Sequence, residues 1–591
     1  MKFALKFAFI ISTFVMLVAC GFNTKKQIPA EESGSFSNHN KKLSIVQMFK
    51  ENEHLPMKER IELFYKLKKE SPNSYDFENE VALNFYGYQK LWNNEDEDAF
   101  LIFKMIVLEF PNSSNAYDSF GEICLKTGEK KQALINYKKS LELNPDNFNA
   151  EDQIAYILNP KIKPENSVDK FSKVYKAEEY RQDLDQLAKK ITATHPNVFK
   201  FISEIDFWKL IEEKKKLITA TTTFAEFIWH CDEIIACVNC SHTSVSGFYE
   251  ELEMLPTALS FPLQTRWIND QLFVVDPMNN ESNVKIKTEI TSINGVPTID
   301  VLKEIYKHLP SQGYIETTKR HLFNVWSTCL IPYAMNFPES YHITLNGSSE
   351  SIKLNKAQEK RIQHKDPSIQ HCEKDLCLDF YNNDKTAILT LGSFNYYKFR
   401  GSYAYFKDFI DSCFLEINSK KCKNLIIDVR GNGGGSQSAS IHLLRYLLDE
   451  PFTYYSNVQF EGKKEKIEGE ESVSPYKNRY QGKLFFLIDG VGNSTTGHFM
   501  SIAKELKLGT IIGEELGSNQ FCSAGGKTFR LSHTKLIYTV ADNTHESMAT
   551  SLPDETGILP DIYITQSVDD FLNRIDTVKE YTLKLVDENE K

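Results

Sequence analysis

Short apolar segments alternate with helix-like segments in the C-terminal third of the chain. The apolar segments read TAILTLGSF (386–394), NLIIDVR (424–430), KLFFLID (483–489) and GTIIGEE (509–515), and helical spacing follows in SASIHLLRYLLD (438–449) and TGHFMSIAKEL (496–506). Strands that are apolar on both faces are typical of parallel sheets covered by helices. The alternation therefore predicts an α/β layer with largely parallel strands and with its catalytic groups at strand ends.

A chain of 591 residues is too long for a single core, so we expect several domains. Residues 46–160 are helical and contain three pairs of similar residues at a spacing of 34: Ala99 and Ala133, Phe103 and Tyr137, Pro111 and Pro145. This is the tetratricopeptide (TPR) period, with small residues where helices touch. The region is interpreted as TPR-like α-helical repeats that offer a surface to a protein partner. An ordinary helical-hairpin domain is the alternative.

Residues 161–255 form a second predicted helical domain, because apolar residues recur there at spacings of three and four. Residues 256–365 begin with strand-like segments, and IKTEITSINGVPTIDVLKEIYKHL (286–309) predicts a strand, a turn at Asn294–Gly295 and a helix. This stretch resembles the peptide-binding PDZ modules of processing proteases. A PDZ-like domain would capture the end of a peptide by adding it to its sheet.

The N-terminus predicts export and attachment to a membrane. Residues 1–20, MKFALKFAFIISTFVMLVAC, have a lysine-bearing start and a short apolar stretch, as in a secretory signal peptide. Their ending resembles a bacterial lipobox, which implies lipidation of Cys20. Residues 21–45 are polar and suit a flexible tether. We therefore expect a lipid-anchored protein of the bacterial cell envelope that faces the periplasm or lies at the outer membrane. A plain membrane-anchor helix is the alternative.

The net charge of −11 excludes a general nucleic-acid binder, because phosphate contacts need a basic face. In an exported protein the close pairs Cys372/Cys377 and Cys413/Cys422 are candidates for disulfides. The segment CVNCSH (237–242), with Cys231 before it, offers zinc ligands but lacks a second C-x-x-C. No metal and no organic cofactor is predicted.

Two strand-to-helix turns are candidates for chemistry. In IIDVRGNGGGSQSAS (426–440), glycines let backbone N–H groups converge on a phosphate or an oxyanion. The turn lacks the nucleotide-binding patterns G-x-x-x-x-G-K-[ST] and G-x-G-x-x-G. In VGNSTTGHFMSIAKE (491–505), Ser494 precedes a helix. Its hydroxyl suits a helix cap as well as a nucleophile, and a nucleophilic serine also needs a base.

The order of the motifs resembles the tail-specific, C-terminal-processing serine protease family. NLIIDVRGNGGGS is followed by LIDGVGNSTTGHF, TIIGEELGSNQ and TGILPDI, and the similarity covers about residues 166–570. The resemblance implies that residues 366–591 form an α/β core of the crotonase or Clp-protease type, within a multidomain α/β protein. Ser494 holds the place of the nucleophile. The N–H of Thr495 and one from the turn Gly433, Gly434 and Gly435 would form the oxyanion hole.

The resemblance also indicates which residue would act as the general base for Ser494. One branch of the family uses a lysine, whose position here is Asn519, and an amide cannot accept the proton of serine. The other branch resembles the tricorn core protease and takes a histidine from an SH motif, which matches Ser241–His242 in CVNCSHTSVSG. His242 would then be the base, Ser241 would orient its far nitrogen, and Asp554 or Glu555 would support the pair.

The sequence therefore predicts a serine endopeptidase that hydrolyses exported peptides or unfolded protein tails. A catalytically inactive peptide- or lipid-binding protein on the same scaffold is the alternative. It is favoured by Asn519 at the lysine position and by Gly497, where many family members carry an acidic residue.

Overall fold

The computed structural model describes residues 42–161, 167–245, 248–363, 366–369, 372, 375–395, 403–463 and 466–588. The predicted signal peptide, Cys20 and most of the predicted tether lie outside these residues. Within the described part of the chain, no helix has both the length and the apolar character that a membrane span requires. The chain divides into two compact units, which meet in sequence at residues 164 and 165.

The N-terminal unit is helical, as predicted. Its helices are α1 (Ile45–Glu51), α2 (Met57–Glu70), α3 (Glu80–Trp92), α4 (Asp96–Glu109), α5 (Ser114–Lys126), α6 (Lys130–Leu143) and α7 (Phe148–Leu158). The starts of α3, α5 and α7 are 34 residues apart, as are those of α4 and α6. The contacts repeat with the same period. A Cβ on Gly87 would lie 2.7 Å from the Phe103 ring, and one on Gly121 would lie 3.0 Å from the Tyr137 ring.

The second unit begins with helices and an antiparallel sheet. Its first elements are α8 (Ser167–Phe171), α9 (Ala177–Thr194), α10 (Glu204–Leu217), α11 (Phe224–Ala236), α12 (Tyr249–Met254), β1 (Gln264–Ile268), β2 (Gln271–Asp276), β3 (Glu289–Ile293), β4 (Val296–Pro297), α13 (Thr298–Tyr306), α14 (Glu316–Ala334), β5 (His342–Leu345) and β6 (Ser351–Lys353). The strands pair in the order β1-β2-β3-β5-β6, with β4 on β3. Asn294 and Gly295 both have positive φ between β3 and β4, which confirms the predicted turn.

The predicted α/β layer is present. Its elements are β7 (Leu376–Tyr381), β8 (Thr386–Leu391), α15 (Tyr403–Lys420), β9 (Asn424–Asp428), α16 (Gln437–Leu447), β11 (Lys483–Ile488), α17 (Thr495–Glu505), β12 (Thr510–Gly513), β17 (Ile562–Tyr563), α18 (Val568–Asn573) and α19 (Thr577–Glu588). The sheet order is β17-β12-β11-β9-β8-β7, and the pairs from β17 to β8 are parallel. All four apolar segments became neighbouring strands. Separate apolar cores cover the two faces of this sheet.

A smaller β region joins the α/β layer to the preceding helices. Strands β10 (Tyr455–Gln459), β16 (Asn543–Ser547) and β13 (Phe521–Ala524) form one antiparallel sheet, and β14 (Lys527–Arg530) pairs with β15 (Ile537–Val540). Phe529 and Tyr538 of this hairpin share a buried core with Leu184 of α9 and Phe227 of α11. The hairpin therefore fixes the helical segment against the α/β layer.

We expect Gly87→Ala to destabilise the N-terminal unit by about 1–2 kcal/mol. Alanine normally stabilises a helix interior relative to glycine by about 0.5–1 kcal/mol, whereas overpacking a core costs about 1–3 kcal/mol. Chemical denaturation of the full chain measures the change. In a Phe103→Leu background the new methyl group has space, and the same substitution should become neutral or stabilising. Equal destabilisation in both backgrounds would contradict the packing explanation.

Candidate active site

Ser494 lies in a sharp turn between β11 and α17. Its φ of 55° and ψ of −122° are values that residues other than glycine rarely adopt. It directly precedes α17, yet its hydroxyl makes no capping hydrogen bond to that helix. The Asn493 side chain accepts the Ser494 N–H at 2.8 Å. The turn therefore holds the Ser494 hydroxyl without using it as a helix cap.

The glycine turn after β9 touches the Ser494 turn backbone to backbone. A Cβ on Gly434 would lie 2.6 Å from the carbonyl oxygen of Asn493, 2.8 Å from Ser494 Cβ and 3.0 Å from Thr495 N. Gly434 also has a φ of 96°. Only glycine satisfies both conditions, because any side chain would separate the two turns.

The two threonines after Ser494 fasten these turns together. Thr495 Oγ1 donates to the Gly435 carbonyl at 2.7 Å, and Thr496 Oγ1 donates to the Asn432 carbonyl at 2.9 Å. The buried Asn432 side chain in turn donates to the Leu391 carbonyl at the end of β8. The motif GNSTTG thus contains a strained turn followed by two clamps on the glycine turn.

One of the predicted oxyanion donors, the N–H of Gly434, is not available to a substrate. Gly434 donates its N–H to Asn432 Oδ1 at 2.9 Å, so this group is already satisfied. The N–H groups of Gly433, Gly435 and Thr495 have no acceptor among the residues that the structure describes. Thr495 begins α17, where an N–H has no partner within the helix. These three groups are the available donors beside Ser494.

The segment that carries His242 is attached to β15. Ser244 and Thr539 exchange backbone hydrogen bonds of 3.0 and 2.9 Å, and the Thr243 hydroxyl accepts the Ala541 N–H at 3.1 Å. Asp183 of α9 adds a second attachment, because its buried carboxylate accepts three hydrogen bonds from residues 533 and 534. These contacts bring a segment from the helical part to the α/β layer and its adjoining β region.

The His242 segment and the Ser494 turn meet through a direct hydrogen bond. Ser241 Oγ donates to Asn493 Oδ1 at 2.9 Å, across 252 residues of sequence. Ser241 Oγ also lies 3.3 Å from His242 Nδ1. With its own proton on Asn493, the serine oxygen can accept a hydrogen bond from His242 in the tautomer that carries hydrogen on Nδ1. That tautomer leaves the lone pair of His242 on Nε2.

Cys522 lies between the serine and the histidine, and sequence reasoning missed it. Its Sγ lies 3.7 Å from His242 Nδ1 and close enough to the Ser494 side chain to interact with it. Burial raises the pKa of the Cys522 thiol well above its usual range, so the group stays protonated. No pattern around FCS on β13 marks this cysteine, since its position depends on how the small sheet packs.

Neither acidic candidate makes a hydrogen bond or ion pair to His242 among the described residues. Asp554 forms an ion pair with Lys200 at 2.6 Å and accepts a hydrogen bond from Gln520. Glu555 is exposed, and its backbone carbonyl accepts the Tyr314 N–H. Burial is the cause that lowers the pKa of His242 to about 4. The structure therefore brings together Ser241, His242 and Ser494, whereas a supporting carboxylate for His242 stays a prediction.

Gly497 and Asn519, the two residues that depart from the family pattern, contact each other. A Cβ on Gly497 would lie 2.5 Å from Ser518 Oγ and 2.6 Å from the Asn519 carbonyl oxygen, so an acidic side chain would not fit there. Asn519 is buried and donates to the backbone carbonyls of Asp554 and Thr556 at 2.6 and 2.9 Å. Asn519 therefore anchors the 554–556 loop where the other branch would place its lysine.

Only one of the two predicted disulfides is present. Cys372 and Cys377 form a disulfide, but Cys413 and Cys422 are free, which corrects the second predicted pair. Cys413 is buried in an apolar core, and the Cys422 thiol donates to the Asp384 carbonyl. In the possible zinc motif, the Cys237 thiol donates to the Ile234 carbonyl and the Cys240 thiol to the Ser523 carbonyl. The described residues contain no metal-binding group of three or more His, Cys, Asp or Glu.

Residues 385–564 match the sequence model of peptidase family S41. A comparison with curated protein sequences finds no match. Among solved structures, mature CPAF is 14% identical, with 69% of this chain and 96% of that chain covered and a TM-score of 0.48. The photosystem II D1 C-terminal processing protease is 12% identical (67% and 96% covered, TM-score 0.34), and the tricorn protease is 15% identical (70% and 37% covered, TM-score 0.31). These low scores carry no further argument.

Several imidazoles surround the site, and burial keeps them neutral. It lowers the pKa of His195, His242 and His545 to about 4 and that of His498 to about 3. His195, His498 and His545 each also feel the charge of His242. Protonation of one imidazole therefore opposes protonation of its neighbours.

We expect these four imidazoles to contribute a fall in the free energy of unfolding as the pH is lowered from about 6.5 towards 4. In this window the unfolded chain binds protons that the folded imidazoles do not, and each such group lowers stability by at most about 1.4 kcal/mol per pH unit. Denaturant unfolding at several pH values measures the slope. His195→Gln should reduce it by up to that amount. An unchanged slope in His195→Gln would contradict the prediction.

Proposed function

Because residues 385–564 form a peptidase family S41 domain and the protein is a serine-type peptidase, we propose that Ser494 and His242 carry out its hydrolytic reaction. The hydrogen bond from Ser241 to Asn493 is the main observation in favour, because it joins the histidine motif to the residue before Ser494. The strained Ser494 turn and the uncapped hydroxyl support the same roles.

In the proposed reaction, Ser494 Oγ attacks the carbonyl carbon of the scissile peptide bond. The lone pair on His242 Nε2 accepts the serine proton and later returns it to the leaving amine. Ser241 holds Nδ1–H and thereby fixes the tautomer. Water then hydrolyses the acyl-enzyme, again with His242 as the base, and releases the second product.

The negative oxygen of the tetrahedral intermediate would be stabilised by the N–H of Thr495 and by that of Gly433 or Gly435. Each such donor is worth about 3–4 kcal/mol in the transition state. The clamps from Thr495 and Thr496 keep the donors in place before the substrate arrives. The loss of either clamp should therefore affect catalysis more than stability.

The proposed substrates are exported peptides or unfolded protein tails. An extended chain end would bind residues 256–365 by strand addition, as in a PDZ-like domain. The exposed β4, which pairs with β3, and the turn before it resemble such a module. The crotonase or Clp-protease type of the core is part of the same proposal.

The N-terminal unit would bind a protein partner as TPR-like repeats. Its 34-residue spacing of helices and its repeated glycine–aromatic contacts support that assignment. We further propose export, lipidation at Cys20 and a position at the cell envelope facing the periplasm, all from the sequence of the first 45 residues.

A non-catalytic peptide- or lipid-binding protein on this scaffold is the second candidate. One observation favours it: the Cys522 thiol lies next to His242 and close to the Ser494 side chain. In an active enzyme this thiol must give way to a direct contact between Ser494 and His242. Reaction of Ser494 with a fluorophosphonate distinguishes the candidates, because only an activated serine is labelled.

Ser494→Ala should lower kcat for an unstructured peptide by at least about a thousandfold, because the nucleophile is lost. Intact mass spectrometry should show one fluorophosphonate adduct on the parent chain and none on Ser494→Ala. Ser551→Ala, the same change at an exposed serine, should keep both hydrolysis and labelling. Unchanged turnover in a folded Ser494→Ala would contradict the assignment.

The pH profile of kcat/KM should report the low pKa of His242. A base works in its neutral form, so activity persists above the pKa of about 4 and is lost as the pH falls through it. We expect a flat profile from pH 8 to about pH 5, measured where circular dichroism shows the folded chain. An acid limb centred near pH 6.5 would contradict this assignment.

A further inference from the structure

A cavity of about 360 Å³ lies at the carboxyl end of the parallel sheet. Its lining comes from β1, α14, the ends of β9 and β11, and the start of α19. The volume is within the range of small-molecule sites. The lining includes Asp489 and Gly490, which begin the segment leading to Ser494, but not Ser494 itself.

The cationic side chains of this cavity are already paired. Arg266 binds Asp366 at 2.7 Å, and Arg320 binds Glu514 at 2.6 Å. Arg430 binds Asp428 and Asp576 at 2.7 and 2.6 Å. Each guanidinium group therefore has a carboxylate partner, so the cavity does not offer free positive charge to an anion.

Negative charge is in excess. The lining holds six carboxylates and three guanidinium groups, a formal charge of −3. Asp489 receives only backbone donors, from Gly431 at 3.0 Å and Val491 at 3.1 Å, and it has no ion pair among the described residues. Burial raises the pKa of Asp489 to about 6, although the Gly431 N–H and the charge of Arg430 act in the opposite direction.

A second polar group in the cavity lacks a partner. Thr317 lines it and is 7% exposed, and its hydroxyl has no hydrogen-bond partner among the described residues. A buried hydroxyl without a partner costs free energy, so its presence points to a ligand or to solvent that binds there. The backbone of Thr317 packs against Gly490, the residue after Asp489.

The ligand class follows from charge and donor geometry. The excess of carboxylates selects a cation. The described residues contain no group of three metal ligands, which disfavours a metal ion. Apolar residues such as Ile488 and Val578 line the rest of the cavity and suit an alkyl chain. An ammonium or guanidinium group on a short alkyl chain satisfies each of these conditions.

We propose that this cavity binds a small organic cation. The ammonium or guanidinium group of this cation pairs with the Asp489 carboxylate and donates a further hydrogen bond to the Thr317 hydroxyl oxygen. Binding does not require hydrolysis by Ser494, so Ser494→Ala serves as the host for all measurements. Agmatine represents a free cation, and N-acetyl-arginine amide represents a basic side chain carried by a peptide. Whichever of the two binds more tightly identifies the source.

Isothermal titration of agmatine into the full chain carrying Ser494→Ala should show saturable binding at one site, and glutarate should not bind. Asp489→Asn keeps an oxygen for the backbone donors and should weaken agmatine binding at least about tenfold, because a charged hydrogen bond is lost. Asp408→Asn, the same change at an exposed position outside the cavity, should leave affinity unchanged.

Thr317→Val is the second variant and should weaken binding about threefold or more while leaving the protein equally or more stable. It keeps the test valid if Asp489→Asn fails to fold. The proposal is overturned if neither cation binds, if glutarate binds as tightly as agmatine, or if the folded cavity variants bind agmatine as tightly as the host.

Discussion

The backbone contact at Gly434 is the constraint on which the proposed site depends. Without a Cβ, this residue approaches Asn493, Ser494 and Thr495 closely enough for the Thr495 and Thr496 hydroxyls to clamp the glycine turn. The contact places the end of β9 beside the end of β11, which are paired strands of one parallel sheet. It therefore fixes both the strained serine and the donors that would stabilise an oxyanion.

The second requirement is that a histidine from a distant part of the sequence reaches this point. The β14–β15 hairpin provides the connection. Its apolar side chains share a core with the helical segment, and Thr539 of β15 exchanges backbone hydrogen bonds with Ser244. Asn197 adds a hydrogen bond to Thr544 of β16 at 2.8 Å. His242 is consequently held by packing around the site rather than by one contact, and Cys522 occupies the remaining space between it and Ser494.

Local patterns predicted what depends on local physics. The apolar runs predicted β8, β9, β11 and β12 because strands buried on both faces must be apolar throughout, and the 34-residue period predicted the helix spacing of the N-terminal unit. Tertiary contacts were harder to foresee. The use of the Gly434 N–H by Asn432, the pairing of Asp554 with Lys200 and the free thiols of Cys413 and Cys422 depend on distances that sequence spacing does not encode. Cys522 was missed for the same reason.

A crystal structure of the protein after reaction with a fluorophosphonate would test the central claim most directly. We expect phosphorus bonded to Ser494 Oγ, a phosphoryl oxygen about 3 Å from the Thr495 N–H and from a second glycine N–H, and His242 Nε2 within about 4 Å of the serine oxygen, with the Cys522 thiol displaced. An adduct whose oxygen points away from Thr495, or a His242 ring still separated from Ser494 by Cys522, would contradict the account.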